Sequence, residues 1–123
     1  MLLKDFYKIV STDKIDDENY TVVVSLNKDH EVFKGHFPNN PVTPGVCMMQ
    51  IVKEICEDLL DCELQLKSAS NVKFMALINP KVNSRLRFEL AISQGDNDEI
   101  KVKNTSFMEE TVALKLSNTY IKL

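Results

Sequence analysis

Thr43-Pro44-Gly45-Val46-Cys47-Met48-Met49-Gln50-Ile51-Val52-Lys53-Glu54-Ile55-Cys56-Glu57-Asp58-Leu59-Leu60 sets the architecture of this chain. Thr43 is an N-cap candidate, and Pro44 suits the first helical position, where a missing N–H costs nothing. From Gly45 to about Leu60, apolar residues fall at Val46, Met49, Ile51, Val52, Ile55, Cys56, Leu59 and Leu60. Polar residues fall at Gln50, Lys53, Glu54, Glu57, Asp58 and Asp61, a stripe at helical spacing. The first turns are apolar nearly all round. Such a helix belongs inside something.

On either side of it the chain reads as strand. Phe6 to Val10 and Asn19 to Leu26 are extended segments, the second rich in β-branched residues, with a charged, turn-like stretch from Asp13 to Asn19 between them. Asp29 to Pro44 is irregular and holds both histidines. Beyond Asp61, the segments Leu64 to Phe74, Ser84 to Gln94, Glu99 to Met108 and Thr111 to Leu123 each show partial period-2 alternation, as in Leu86-x-Phe88-x-Leu90-x-Ile92. Gly95-Asp96-Asn97-Asp98 and Met108-Glu109-Glu110 are hairpin turns, and Asn79-Pro80 punctuates the earlier crossing. The order is strand, strand, one buried helix, then antiparallel strands. This is an α+β pattern in which a curved antiparallel sheet hides the helix.

A chain of 123 residues, 44% apolar, fits one domain spanning 1–123. Its net charge of -3 argues against wholesale nucleic-acid binding, which leaves a basic footprint. Cys47, Cys56 and Cys62 make an odd count without a CxxC pair, which suits a reducing compartment. Met1-Leu2-Leu3-Lys4-Asp5 turns charged before a signal peptide's apolar region could form. No apolar run approaches the ~18 residues a membrane span needs. The expectation is a soluble, cytoplasmic protein that does not engage membranes.

The chemistry points to Gly35-His36-Phe37-Pro38-Asn39-Asn40-Pro41-Val42-Thr43-Pro44-Gly45-Val46. This stretch resembles the signature of the 3-hydroxyacyl-[acyl carrier protein] dehydratases of fatty-acid synthesis, where a His-Phe-Pro step precedes a Pro-Gly helix start by a fixed interval. A weaker echo follows in Val72-Lys73-Phe74-Met75-Ala76-Leu77-Ile78-Asn79-Pro80. The resemblance spans roughly Asn19 to Leu123 and implies a hotdog fold, usually dimeric, with active sites at the subunit interface. It implies no cofactor. It makes His36 the base that takes the proton beside a thioester carbonyl, and Gly45 and Val46 the backbone N–H donors that polarise that carbonyl. Phe37, Met48, Met49 and Val52 would line an apolar tunnel for the acyl chain.

Elementary chemistry agrees. Helix-start N–H groups have no intrahelical partner and favour negative charge, and an enolate-like oxygen carries such a charge. Gly45 lets a substrate approach the backbone closely. Imidazole takes up and returns protons near neutrality. Plain core packing is an equal reading for Met48 and Met49, and His30 reads as an ordinary loop residue. Cys47, two residues into a buried helix start, reads as a small hydrophobe rather than a nucleophile. His30, His36 and the cysteines lack metal-ligand spacing, so no metal is expected.

One position departs from the family pattern. Five residues beyond the Pro-Gly glycine the family has Glu or Asp, given by the partner subunit's helix; here stands Gln50. An amide forms hydrogen bonds but transfers no proton. Losing a general acid costs ~10²–10⁴-fold in rate. Glu54, one turn on, is a poor substitute, and it and Glu57 read as solvated helix-face residues.

The leading expectation is a 3-hydroxyacyl-thioester dehydratase of reduced activity, in which Gln50 positions the hydroxyl or a water. The alternatives are a non-catalytic acyl-carrier-binding protein, the degenerate subunit of a heterodimer, and a hotdog thioesterase. The expected partners are an acyl carrier protein or coenzyme A thioester and a second copy of the chain, with a heterodimer or higher oligomer left open. Lys67, Lys73, Lys81, Arg85, Arg87, Lys101 and Lys103 are either solvated strand faces or a docking patch for an acidic carrier.

Overall fold

The computed structural model describes residues 5–33 and 43–123. Its elements run β1 (Tyr7–Lys14), β2 (Asn19–Leu26), α1 (Gly45–Leu60), β3 (Leu64–Phe74), β4 (Arg85–Gln94), β5 (Glu99–Met108) and β6 (Thr111–Lys122), with a short 3-10 turn at Glu31–Phe33. Among the described residues the strands form one antiparallel sheet in the order β1-β2-β4-β5-β6-β3. The sheet is built from two local pieces, the β1–β2 hairpin and the β4–β5–β6 meander. Two distant pairings complete it: β2 with β4 joins these two pieces, and β3 with β6 adds the strand that follows α1 at the far edge.

Alternation decides which strand face is inner. Val22, Val24 and Leu26 on β2, then Leu86, Phe88, Leu90 and Ile92 on β4, are buried at every second position. Against this face α1 lays Cys47, Met48, Ile51, Val52, Ile55 and Cys56, all buried. Fully burying a side chain of this kind is worth about 1.5–3 kcal/mol over leaving it exposed, so this shared face supplies much of the cohesion. The outermost strands differ. β3 is exposed at most of its positions, and β1 is exposed beyond Tyr7.

The expected strands are found almost at their predicted bounds, with one correction. β1 runs on to Lys14, through Ser11–Lys14, and the turn shrinks to the residues before Asn19. There Asp16 Oδ1 accepts from the backbone N–H groups of Glu18 and Asn19, 2.9 Å each. The other turns fall as the sequence indicates. Asn97 (φ 53°) and Asp98 (φ 62°) turn β4 into β5, and Glu109 (φ 54°) turns β5 into β6. α1 stops at Asp61, which adopts the left-handed conformation and donates its N–H to the Glu57 carbonyl.

Candidate functional site

α1 starts one residue later than the sequence suggests. Pro44, not Thr43, is the N-cap: its carbonyl accepts from Cys47 N (3.0 Å) and Met48 N (3.2 Å), and no side chain caps the helix. The cause lies outside the helix. Thr43 N–H is bonded to the Ile78 carbonyl at 2.8 Å, and Thr43 itself is buried, its Oγ1 finding no partner among the described residues. The segment after β3 thus fixes where α1 begins.

Gly45 and Val46 are the first two helical residues, so their N–H groups have no acceptor within the helix. Val46 is 69% exposed. Gly45 is overlain by Phe74 from the end of β3, so closely that an added Cβ would lie 2.8 Å from the ring's Cζ. Val46, Phe74, Met75 and Leu77 are all exposed apolar side chains, carried by the two segments that meet at this helix start. Phe74 stands in the echo motif, but the sequence alone gives it no place at the site.

Gln50 is half-buried on α1, and its Nε2 donates to Glu54 Oε2 at 2.9 Å. Glu54 Oε1 in turn accepts from the Tyr7 hydroxyl of β1, also at 2.9 Å. Burial first, and this hydrogen bond second, push the Tyr7 phenol well above its ordinary range. Glu54 is therefore a partly buried link between helix and edge strand, not the solvated residue expected. Glu57 differs likewise, since its Oε2 accepts the Leu64 N–H at 2.9 Å.

Met48 and Val52 are packed into the core, while Met49 is partly buried against it. Cys47 is 3% exposed, and burial pushes its thiol up, away from the thiolate a nucleophile needs. His30 orders its loop: Nδ1 accepts Val32 N–H at 3.1 Å, and the ring meets Phe6 edge-on at 5.2 Å. His36 and Phe37 lie outside the described residues. Among the described residues no cluster of His, Cys, Asp and Glu could hold a metal ion, and no helix is long and apolar enough to cross a membrane. Of the basic residues, Lys67 pairs with Glu99, and Arg87 pairs with Glu89 while lying over the Phe107 ring. Lys73, Lys81, Arg85, Lys101 and Lys103 are exposed.

A six-stranded antiparallel sheet with one buried helix defines a hotdog protein, and its family model is of the dehydratase-like kind. Residues 12–114 match the family model described as ApeI dehydratase, and the chain belongs to this ApeI-like family. It is 27% identical to the 3-hydroxyacyl-[acyl-carrier-protein] dehydratase FabZ of Lactobacillus helveticus over 131 aligned positions, covering 98% of this chain and 87% of that one. Its fold is similar to that of a chain in the dehydratase heterocomplex ApeI:P from Xenorhabdus doucetiae, with a TM-score of 0.75, 18% identity and coverage of 93% and 96%. It is also similar to a hypothetical thioesterase protein with coenzyme A from Streptococcus pneumoniae, with a TM-score of 0.63, 12% identity and coverage of 95% and 85%.

Proposed function

We propose that this protein, one hotdog unit over 1–123, acts on 3-hydroxyacyl thioesters and removes water across C2 and C3. The supporting observation is the start of α1 at Gly45, a few residues after the His36-Phe37-Pro38 step, with two N–H groups that lack helical acceptors. Donors so placed stabilise the enolate-like oxygen that forms when the C2 proton leaves. His36 takes that proton. The C3–O bond then breaks, the C2–C3 double bond forms, and the departing hydroxyl leaves as water with the proton His36 returns. Gln50 holds the hydroxyl in place without supplying a proton. Phe37, Met48, Met49 and Val52 border the acyl chain, which requires Met48 and Val52 to give way from their present packing.

The substrate arrives on an acyl carrier protein or coenzyme A, and a second chain completes the assembly along β3. β6 is the strand neighbour of β3 among the described residues, and an unpaired strand edge is a ready template for another strand. The likeness to a chain of a dehydratase heterocomplex favours a second reading, a subunit whose different partner brings the missing acid. Incubation with (3R)-hydroxyacyl thioesters separates these. Enoyl absorbance supports dehydration by the chain itself. Thiol release without enoyl product identifies a thioesterase, and binding without either product supports the carrier-binding or paired-subunit reading.

A further inference from the structure

Glu54 holds two donors at once, Gln50 Nε2 on one carboxylate oxygen and the Tyr7 hydroxyl on the other, each at 2.9 Å. Tyr7 lies 47 residues earlier, on β1. An ionised carboxylate only accepts, so the end of the Gln50 amide that faces it must be the NH2. The amide's other end, the carbonyl Oε1, is turned away. A freely rotating glutamine would present either end with equal ease. This one has a single orientation, set by a residue one helical turn away and locked by a strand.

We infer that Glu54 and Tyr7 are positioning residues that aim the Gln50 carbonyl at the bound thioester, where it accepts the hydrogen of the substrate's 3-hydroxyl. The inference rests on the placement of Gln50 at the thioester site proposed above. An acceptor on the hydroxyl hydrogen fixes the direction of that oxygen's lone pairs. The returning proton from His36 then meets a lone pair already oriented. Orientation of this kind carries a large share of catalytic advantage, and small misplacements cost up to about a hundredfold. Glu54 acts through Gln50 and does not itself deliver the proton.

The test uses the full chain and four variants: Gln50→Ala, Glu54→Ala, Glu54→Gln and Tyr7→Phe. The first readout needs no turnover. In ¹⁵N-labelled protein the Gln50 side-chain NH2 should give two well-separated proton signals that collapse toward free-amide positions in Glu54→Ala and move part of the way in Tyr7→Phe. Unchanged signals in Glu54→Ala overturn the inference. The second readout is kcat against KM on a (3R)-hydroxyacyl thioester. Glu54→Ala should lower kcat by about ten- to a hundredfold with KM within about twofold. Glu54→Gln keeps an oxygen for the Gln50 NH2, with the Tyr7 hydroxyl turning to accept from the new amide, and should restore most of kcat. Equal loss in Glu54→Gln and Glu54→Ala would make Glu54 a proton donor and overturn the inference. Normal kcat in Glu54→Ala with impaired Gln50→Ala overturns it while leaving the proposed function standing. Normal kcat in Gln50→Ala removes Gln50 from the site and takes the proposed function's use of it away as well. If the wild type does not turn over, the NH2 signals are compared with and without bound thioester. A shift on binding that Glu54→Ala abolishes upholds the inference, and no shift on binding overturns it.

Discussion

The Phe74 ring rests on the Cα side of Gly45, with no room for even a methyl group between them. The contact joins the last residue of β3 to the first residue of α1. It places an aromatic side chain beside the two N–H groups proposed to hold the thioester oxygen. Gly45→Ala should separate packing from chemistry here. The ring is 53% exposed and meets the new methyl with its free end, so it can swing aside. Denaturant unfolding should show a stability change under about 1 kcal/mol. Turnover should fall by about tenfold or more, because the methyl itself crowds the amides. Adding Phe74→Ala should recover the stability but not the turnover.

Gln50→Glu sets a carboxyl one turn from Glu54, with the same face and sign. Repulsion holds the new carboxyl above the usual carboxylate range. An acid whose pKa is raised on folding is tolerated below its unfolded pKa, and the cost appears as pH rises through the folded value. The variant should therefore match wild-type stability near pH 4 and lose about 0.5 kcal/mol near pH 8. Dehydration should rise, by up to about a hundredfold, as a proton donor returns to the site. Urea melts and enoyl absorbance across pH measure both effects. The same difference from wild type at the two pH values would show that the carboxyls do not meet.

Tyr120 is buried in the core, and burial pushes its phenol up to about 12, with the Asn118 hydrogen bond pulling the other way. Unfolded phenols titrate near 10. The folded state thus retains a proton that the unfolded state loses. Stability should be fully present below about pH 10 and should fall as pH rises toward 12, by roughly 2–3 kcal/mol from this group alone. Unfolding at about pH 9 and pH 11.5 tests it. Tyr120→Phe should flatten the decline.

Leu66 lies on β3, the sheet's outermost strand beyond β6, and is 43% exposed. Leu66→Lys places a charge where a second copy is proposed to pair. Light scattering should show the dimer dissociating at least tenfold more readily, with the monomer's circular dichroism unchanged. A dimer of undiminished strength would put the interface elsewhere.

The parts legible in the sequence are those where a local pattern reports a local environment. Leu86, Phe88, Leu90 and Ile92 alternate because one face of β4 is dry, and the strand reads off directly. β1 lacks that signal, since it is exposed on both faces beyond Tyr7, and Asp13 and Lys14 then look like a turn. On β5 and β6 the inner face carries Asn104, Ser106 and Asn118. Asn104 and Asn118 bond residues two positions along their own strands, Ser106 Oγ (2.7 Å) and Tyr120 Oη (2.9 Å), which blurs the alternation. Thr43 looks like a cap because its neighbours are Pro and Gly, yet a carbonyl 35 positions later claims its N–H. The bond between Tyr7 and Glu54 left no trace in the sequence, as neither residue is unusual among its neighbours. The motif pointed to Gly45, Val46 and Gln50 on α1, whereas nothing in it pointed to Glu54 and Tyr7, which form the hydrogen-bonded chain to Gln50.

The two distant pairings also govern how the chain comes off the ribosome. β2 must wait for β4, and β3 for β6, so the dry face of α1 has only the first hairpin for cover until the last third of the chain emerges. Contacts of such long sequence separation form slowly, on the order of milliseconds to seconds. During that interval Ile51, Val52 and Ile55 are open to strangers, and aggregation competes with completion. β6 follows the other strands in the chain, and its pairing brings Tyr120 into the core and covers one edge of β3. A nascent chain arrested before β6 would therefore be a client for chaperones rather than a smaller version of the protein.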